Sequence, residues 1–167
     1  MADEQRARGQ LAVWEDYLRG HTVIMRVLER ELQAAHALSL AEYDVLLHLH
    51  NAPHARLRMG ELAEAVLFST GGVSRLLDRM ERAGSVARER TASDRRGVYA
   101  VLTAAGRATL RAASRTHLRG VERHFTALLR SEEAPLVGAF LARLIAQANA
   151  APHEADTDAP APLEGRA

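Results

Sequence analysis

Apolar residues recur along most of this chain at intervals of three, four and seven positions, the spacing that places them on one face of an α-helix. The first such stretch covers about residues 10–36, which is long for a helix of a small domain. Its apolar positions are Leu11, Trp14, Leu18, Met25, Leu28 and Leu32. We therefore predict a long scaffold or dimerisation helix, preceded by frayed polar residues at 1–9.

A second helix is predicted to begin at Ser39, because Ser39 and Glu42 have the spacing of a capping box. This helix is apolar on most sides, and the pair Ala52-Pro53 favours its end near Asn51. We expect residues 52–57 to form a loop.

The next segment has the pattern of two helices joined by a turn. A short helix starts at Arg58 or Met59, residues 68–70 form the turn, and Ser69 or Thr70 caps the second helix. The second helix carries a regular apolar stripe, formed by Val73, Leu76, Leu77 and Met80. Gly84 is in the position typical of a helix C-terminus.

Period-two alternation replaces helical periodicity after Gly84. Two strands are predicted, Val86 to Arg90 and Val98 to Leu102, joined by a polar, Arg-containing turn at 91–97. A capped helix follows from about 104 to 129, and a last helix has apolar residues between 136 and 145. The remaining chain is rich in Pro, Ala and acidic residues, so we predict a disordered tail.

Composition removes several classes of function. The net charge is +1, which argues against a histone-like protein, and all 22 Lys and Arg positions are Arg. The chain has no Cys, which excludes disulfides, thiolate metal sites and thiol redox switches. The first residues lack the apolar core of a signal peptide, and no apolar run is long enough to cross a bilayer. We expect a cytoplasmic protein with no membrane partner.

The helix beginning near residue 70 is the best candidate to enter a DNA major groove. Hydroxyl groups at its start can donate to phosphates or base edges, glycines allow close approach of the backbone, and Arg75 and Arg79 lie one turn apart. Taken alone, these charges favour a solvated helix face with internal ion pairs. The Arg-rich hairpin favours DNA. The predicted DNA-binding residues are Ser69, Thr70, Gly71, Gly72, Ser74, Arg75, Arg79, Arg88, Arg90, Asp94, Arg95 and Arg96.

Asp94 does not favour DNA by itself, so we expect it to aim an arginine, either Arg96 or one from the recognition helix. An Asx turn is the simpler interpretation of Asp94. An extended Arg at the tip of a hairpin can enter a minor groove.

The run DRRGVYAVLTAAG, from Asp94 to Gly106, resembles the D-x-R…L-T-x-x-G signature of the MarR family, the multiple antibiotic resistance regulators. The preceding MGELAEAVLFSTGGVSRLLDRMERAGSVAR is similar to that family's helix-turn-helix. The resemblance covers about residues 10–147. It implies a homodimer that binds a pseudo-palindromic operator and is often released by a small aromatic or phenolic effector. Asp94 and Arg96 match the family's paired wing residues.

The expected fold is therefore mainly α-helical with a small β-wing: a winged helix-turn-helix of six helices that dimerises through its N- and C-terminal helices. We expect one MarR-like domain at 1–149. Within it, the DNA-binding lobe is about 40–103, the dimerisation helices are about 10–36 and 104–149, and the tail is 150–167.

The resemblance also implies an effector cleft, which Trp14, Tyr17, His21, Tyr43 and Met59 would line, with arginines near the start of the first helix as a cationic end. Ordinary core packing of Trp14, Tyr43 and Met59 is the stronger alternative. The eight His residues show no zinc spacing, and we expect no metal and no required cofactor.

No catalytic motif is present, so we do not expect an enzyme. The sequence favours a DNA-binding transcriptional regulator, a ligand-responsive repressor whose partners are double-stranded DNA and a second copy. The alternative is a winged-helix dimer that acts as a protein-interaction module or antirepressor without specific DNA binding.

Overall fold

The computed structural model describes residues 2–66, 70–91 and 94–150, with side chains over 8–66, 72–90 and 97–150. Six helices and three strands follow in this order: α1 (Ala2–His36), α2 (Leu40–Asn51), β1 (Arg56–Arg58), α3 (Met59–Ala65), α4 (Thr70–Arg82), β2 (Val86–Thr91), β3 (Asp94–Leu102), α5 (Ala104–His124) and α6 (Ala134–Ala150). Short 3₁₀ turns lie at Pro53–Ala55 and Thr126–Leu128. The chain divides after Leu128 into two compact units, and α6 belongs to the second.

The first helix begins earlier than its apolar pattern predicts. The frayed start predicted for residues 1–9 is wrong for residues 2–9, which are helical. These residues are mostly Ala, Glu, Gln and Arg, whose intrinsic preference for helix needs no apolar face.

The capping box predicted for α2 is confirmed. The Ser39 hydroxyl accepts from the Glu42 amide at 3.2 Å, and the Glu42 carboxylate accepts from the Ser39 amide at 2.9 Å. Glu29 of α1 also accepts from the Leu40 amide, at 2.5 Å. The start of α2 is therefore fixed both by its own sequence and by α1.

The three strands form one antiparallel sheet in the order β1-β3-β2. The loop predicted for 52–57 is wrong at residues 56 and 57, which belong to β1. The polar turn predicted for 91–97 is too long, because β3 already begins at Asp94. Both errors have one cause: a strand of three residues and a polar strand end are defined by pairing with distant residues, and not by local pattern.

The core lies between α2, α3, α4 and the inner face of the sheet. Its fully buried side chains include Leu46, Leu49, Leu62, Leu77 and Leu102. Leu32 of α1 and Leu110 of α5 complete the cluster, which joins the long helices to the lobe.

Thr103 and Gly106 tie the start of α5 to the end of α4. The Thr103 hydroxyl donates to the carbonyl groups of Gly84 and Ser85 and accepts from the Gly106 amide. A Cβ atom at Gly106 would overlap the Ser85 carbonyl oxygen. The wing and the long α5 helix therefore meet at a junction where only Gly fits. α5 ends at His124, short of the predicted 129.

Within the described ranges, no helix is both long enough and apolar enough to cross a membrane.

Candidate nucleic-acid interface

Helix α4 has one face in the core and one in solvent. Val73 and Leu77 are fully buried, whereas Arg75 and Arg79 are exposed. Because Arg75 and Arg79 are four residues apart, they point in the same direction from neighbouring turns. The helix therefore presents two cations on the side away from the core.

Arg79 is weakly paired with α2. Its Nε atom lies 3.5 Å from Glu42 Oε1, and the Arg79 side chain remains 55% exposed. An exposed pair of this kind contributes at most ~1 kcal/mol. Arg79 can therefore exchange this partner for another anion at little cost.

Arg88 is held far more firmly. Its guanidinium group lies 2.7 Å from both Asp78 and Glu81 of α4, and it donates to the Ser74 carbonyl at 3.0 Å. Partial burial acts to lower the pKa of Arg88, but the hydrogen bonds and charges of Asp78 and Glu81 outweigh it and raise the pKa. Strand β2 is thereby fixed to α4 through one side chain.

Arg90 is exposed at the far end of β2. With Met59, Ser74, Arg88 and Val98, it lines an open depression of about 490 Å³. Of the two arginines predicted from β2, only Arg88 has a carboxylate partner among the described side chains.

Some predicted residues are placed only by their backbone. Thr70 and Gly71 are in the first turn of α4, with Gly72 next to them, and Asp94, Arg95 and Arg96 start β3. Ser69 lies outside the described residues, and so do the side chains of Thr70, Asp94, Arg95 and Arg96. The predicted Asp94–arginine pair therefore falls outside the described side chains.

Two arginines that the sequence analysis missed lie on β1. The guanidinium carbons of Arg56 and Arg58 are 5.1 Å and 5.6 Å from the centre of the Tyr99 ring, and Arg58 Nε donates to the Tyr99 hydroxyl at 3.0 Å. The only signal in the sequence is the alternation Arg-Leu-Arg, which is too short to identify a strand.

The predicted effector residues lie at different places in the single chain. Tyr17 and His21 line a groove of about 880 Å³ between α1 and the segment 121–128, whereas Met59 lies at the depression beside α4. Tyr43 is buried in the core, as the packing interpretation predicts. Trp14 is 50% exposed and stacks on Tyr17, so it is not a core residue of the single chain.

His117 is packed against Tyr43, with their ring centres 4.6 Å apart. Its Nδ1 atom is buried without a hydrogen-bond partner. Burial lowers the pKa of His117, and the nearby Asp44 opposes that shift. Among the described residues, no three His, Asp or Glu side chains are grouped so that they could hold a metal ion.

The sequence matches the family model of the MarR family over residues 36–97. Among curated proteins, none matches the sequence.

Solved structures of MarR family transcriptional regulators are similar to the chain over most of its length. AbsC from Streptomyces coelicolor is 33% identical, with 83% of this chain and 93% of that chain covered and a TM-score of 0.77. Sco3205 from the same organism, solved in complex with DNA, is 31% identical over 83% and 90% of the two chains, with a TM-score of 0.76. A MarR family transcriptional regulator from Silicibacter pomeroyi is 30% identical, with 85% of this chain and 97% of that chain covered and a TM-score of 0.69.

Proposed function

Since this chain belongs to the MarR family of transcriptional regulators, we propose that it binds double-stranded DNA as a homodimer and represses transcription by occluding a promoter. Each copy places α4 in a major groove and the tip of the β2–β3 hairpin in a flanking minor groove. The two recognition helices then lie roughly one helical turn of DNA apart.

The solvent-facing side of α4 carries this proposal. A helix fits into the major groove when its inner face is anchored and its outer face can donate to base edges. Val73 and Leu77 supply the anchor, and Arg75 and Arg79 supply the donors. The solved DNA complex of the 31% identical Sco3205 supports DNA as the ligand.

The predicted β2 arginines take different roles in this proposal. Arg88 is a positioning residue, because Asp78 and Glu81 already occupy its guanidinium group. Arg90 is exposed and remains a candidate phosphate contact. At the hairpin tip, we propose that Arg95 and Arg96 contact DNA and that Asp94 orients one of the arginines.

Exposed apolar side chains support the homodimer. Helix α1 carries Leu11, Trp14 and Leu18 at 44–57% exposure. Helix α6 carries Leu136 and Phe140 at 72% and 46% exposure. Soluble monomers rarely leave contiguous apolar faces of this kind in water, so we propose that a second copy covers them.

We also propose that a small effector binds the protein. The groove lined by Tyr17 and His21 is mostly apolar, and its charged lining residues are Asp16 and Arg123. This lining suits a small aromatic or phenolic effector, which would shift the long helices and thereby change the spacing of the recognition helices. We propose that the protein acts in the cytoplasm.

DNA binding can be tested by fluorescence anisotropy with a labelled duplex from the region upstream of the protein's own gene, against a shuffled duplex of equal length. The affinity should fall steeply between about 50 and 200 mM salt, because several phosphate contacts release counterions. Arg96→Ala should weaken binding roughly tenfold or more, whereas Arg30→Ala on α1 should not.

Two results would contradict this assignment. An equal, salt-independent change in anisotropy for the two duplexes would favour a protein-interaction module instead. The absence of any anisotropy change with either duplex would favour it too. Unchanged binding by Arg96→Ala would remove the wing from the interface.

A further inference from the structure

We propose that Glu42 on α2 is a positioning residue for DNA binding. It holds Arg79 of the recognition helix so that the outer end of the guanidinium group meets a pair of acceptor atoms on the DNA. This inference rests on the proposed DNA binding, and it gives a part in that binding to α2, which carries none of the predicted DNA-binding residues.

The Glu42 carboxylate is held in place from one side. Its Oε2 atom accepts from the Ser39 amide at 2.9 Å and from the Ser39 hydroxyl at 2.8 Å. The start of α2 is itself tied to α1, because the Leu40 amide donates to Glu29. The Glu42 side chain is only 16% exposed. A carboxylate fixed by hydrogen bonds and packing can hold a neighbouring group in one orientation.

The other carboxylate oxygen of Glu42 faces α4. Oε1 lies 3.5 Å from Nε of Arg79. Nε is the inner nitrogen of the guanidinium group, whereas Nη1 and Nη2 form its outer end. Among the described side chains, Glu42 is the one carboxylate within 4.0 Å of Arg79. Nη1 and Nη2 can therefore bind an acceptor on the DNA while Nε stays beside Glu42.

Arg79 is intermediate between two other arginines of this surface. Arg88 is occupied by two carboxylates, and Arg75 has no carboxylate partner among the described side chains. Arg79 has one partner on one side, and its side chain is still 55% exposed. A free arginine loses side-chain freedom when it binds, and this loss costs affinity. Arg79 has already lost part of that freedom, so its contact with DNA should form at lower cost.

The acceptor that suits Arg79 offers two atoms side by side. In DNA, these are O6 and N7 of a guanine in the major groove, or two oxygens of one phosphate group. Both match the fork of Nη1 and Nη2, which a lysine lacks. Arg79 lies one turn after Arg75 on the helix that we propose to enter the major groove, where both kinds of acceptor are present.

Glu42→Gln tests the positioning role. A glutamine oxygen can still accept from the Ser39 amide, so the helix cap is kept, but the NH₂ group then faces Arg79 and cannot accept from it. Anisotropy with the upstream duplex should show binding about three- to tenfold weaker. Charge alone predicts the opposite, since removal of a carboxylate favours binding to a polyanion. Glu64→Gln, at an exposed position of α3, is the charge control and should not weaken binding.

A double-mutant cycle shows whether Glu42 acts through Arg79. In an Arg79→Ala background, Glu42→Gln should have no further effect, because no guanidinium group is left to position. Equal weakening in both backgrounds would refute the inference, since α2 would then affect binding without Arg79. Unchanged or tighter binding by the single variant Glu42→Gln would refute it as well.

Two Arg79 variants identify the acceptor on the DNA. A larger loss by Arg79→Ala on the upstream duplex than on the shuffled duplex indicates a guanine edge. An equal loss on both, with a slope of log affinity against log salt that is shallower by about 0.9, indicates a phosphate. Arg79→Lys should weaken binding nearly as much as Arg79→Ala, and full binding by Arg79→Lys would refute the forked contact.

The outcomes separate this inference from the proposed function. If the wild-type protein binds neither duplex, the proposed function fails and the inference fails with it. If the wild type binds, Arg96→Ala weakens binding, and the cycle shows no coupling between Glu42 and Arg79, the proposed function stands and the positioning role is refuted.

Discussion

The DNA-binding lobe and the scaffold segments bury their apolar side chains to very different extents. Within residues 40–103, the large aliphatic residues Leu46, Leu62 and Leu77 are fully buried. Among the described side chains, the thirteen exposed large hydrophobic residues all lie outside the lobe, in α1, in the stretch 118–128 or in α6. The described part of the lobe thus displays mainly charge, whereas the scaffold segments, which are α1, the stretch 118–128 and α6, display apolar surface.

This difference indicates which contacts stabilise each region. The lobe's fold follows from contacts within one chain, so its stability should not depend on protein concentration. The scaffold segments should gain much of their stability from association, and that part should vary with concentration. The following substitutions test this division.

Leu77→Ala should have the largest effect, because it removes a fully buried side chain beneath α4. We expect the free energy of unfolding to fall by ~2–5 kcal/mol, independently of protein concentration. Urea denaturation at two concentrations measures this. Leu18→Ala, at an exposed position of α1, is the matched control. A loss below ~1 kcal/mol for Leu77→Ala would show that the lobe core is loosely packed.

Leu144→Asp should break the proposed dimer and leave the lobe folded. A carboxylate on the apolar face of α6 must be desolvated when a second copy covers it. We expect dimer dissociation to become easier by at least roughly a hundredfold, about 2.7 kcal/mol. Sedimentation velocity measures this change, with circular dichroism as a check on folding. An intact dimer would place the interface elsewhere.

Gly106→Ala should destabilise the junction between α4 and α5. The added Cβ would overlap the Ser85 carbonyl oxygen, and neighbouring backbone must move to make room. We expect a cost of ~1–3 kcal/mol, seen as a lower melting temperature. Gly60→Ala is the control, because nothing lies within 4 Å of its added Cβ. Equal melting temperatures for the two variants would disprove the close approach.

His117→Gln should give the smallest effect, confined to acidic pH. Because burial lowers the pKa of His117, the folded state takes up its proton less readily than the unfolded state. Protonation of His117 therefore does not reduce the free energy of unfolding above pH 6.5, and the free energy of unfolding declines as the pH falls below that value. Asp44 on α2 limits the decline, since it favours the protonated ring. The variant should lose part of the wild-type fall in melting temperature between pH 7.5 and 5.5; identical pH profiles would contradict this.

Much of the fold could be predicted because its signals are local. The capping box at Ser39 and Glu42 and the cap at Thr103 act within four residues, and the apolar stripe of α4 repeats within one helix. The family resemblance rested on the same local runs. It is confirmed by the comparisons with known regulators.

The remainder depends on contacts between distant residues. Strand β1 exists because Arg58 pairs with Tyr99, 41 residues away. From the sequence, Arg88 is predicted to contact DNA. Its carboxylate partners lie on α4 and meet it only when the sheet packs against that helix. Likewise, Trp14 has an apolar pattern typical of core, yet the single chain leaves it exposed. Local pattern identifies an apolar face, and not the molecule that covers it.

The stoichiometry of the DNA complex tests the central claim most directly. Sedimentation velocity with a fluorescently labelled upstream duplex reports the mass of protein bound to each DNA molecule. The central claim is that the lobe folds by itself and that the scaffold segments need a second copy. It predicts two chains per duplex, with binding that weakens as salt rises. A complex of one chain per duplex at full affinity, or no salt-sensitive complex, would contradict that claim.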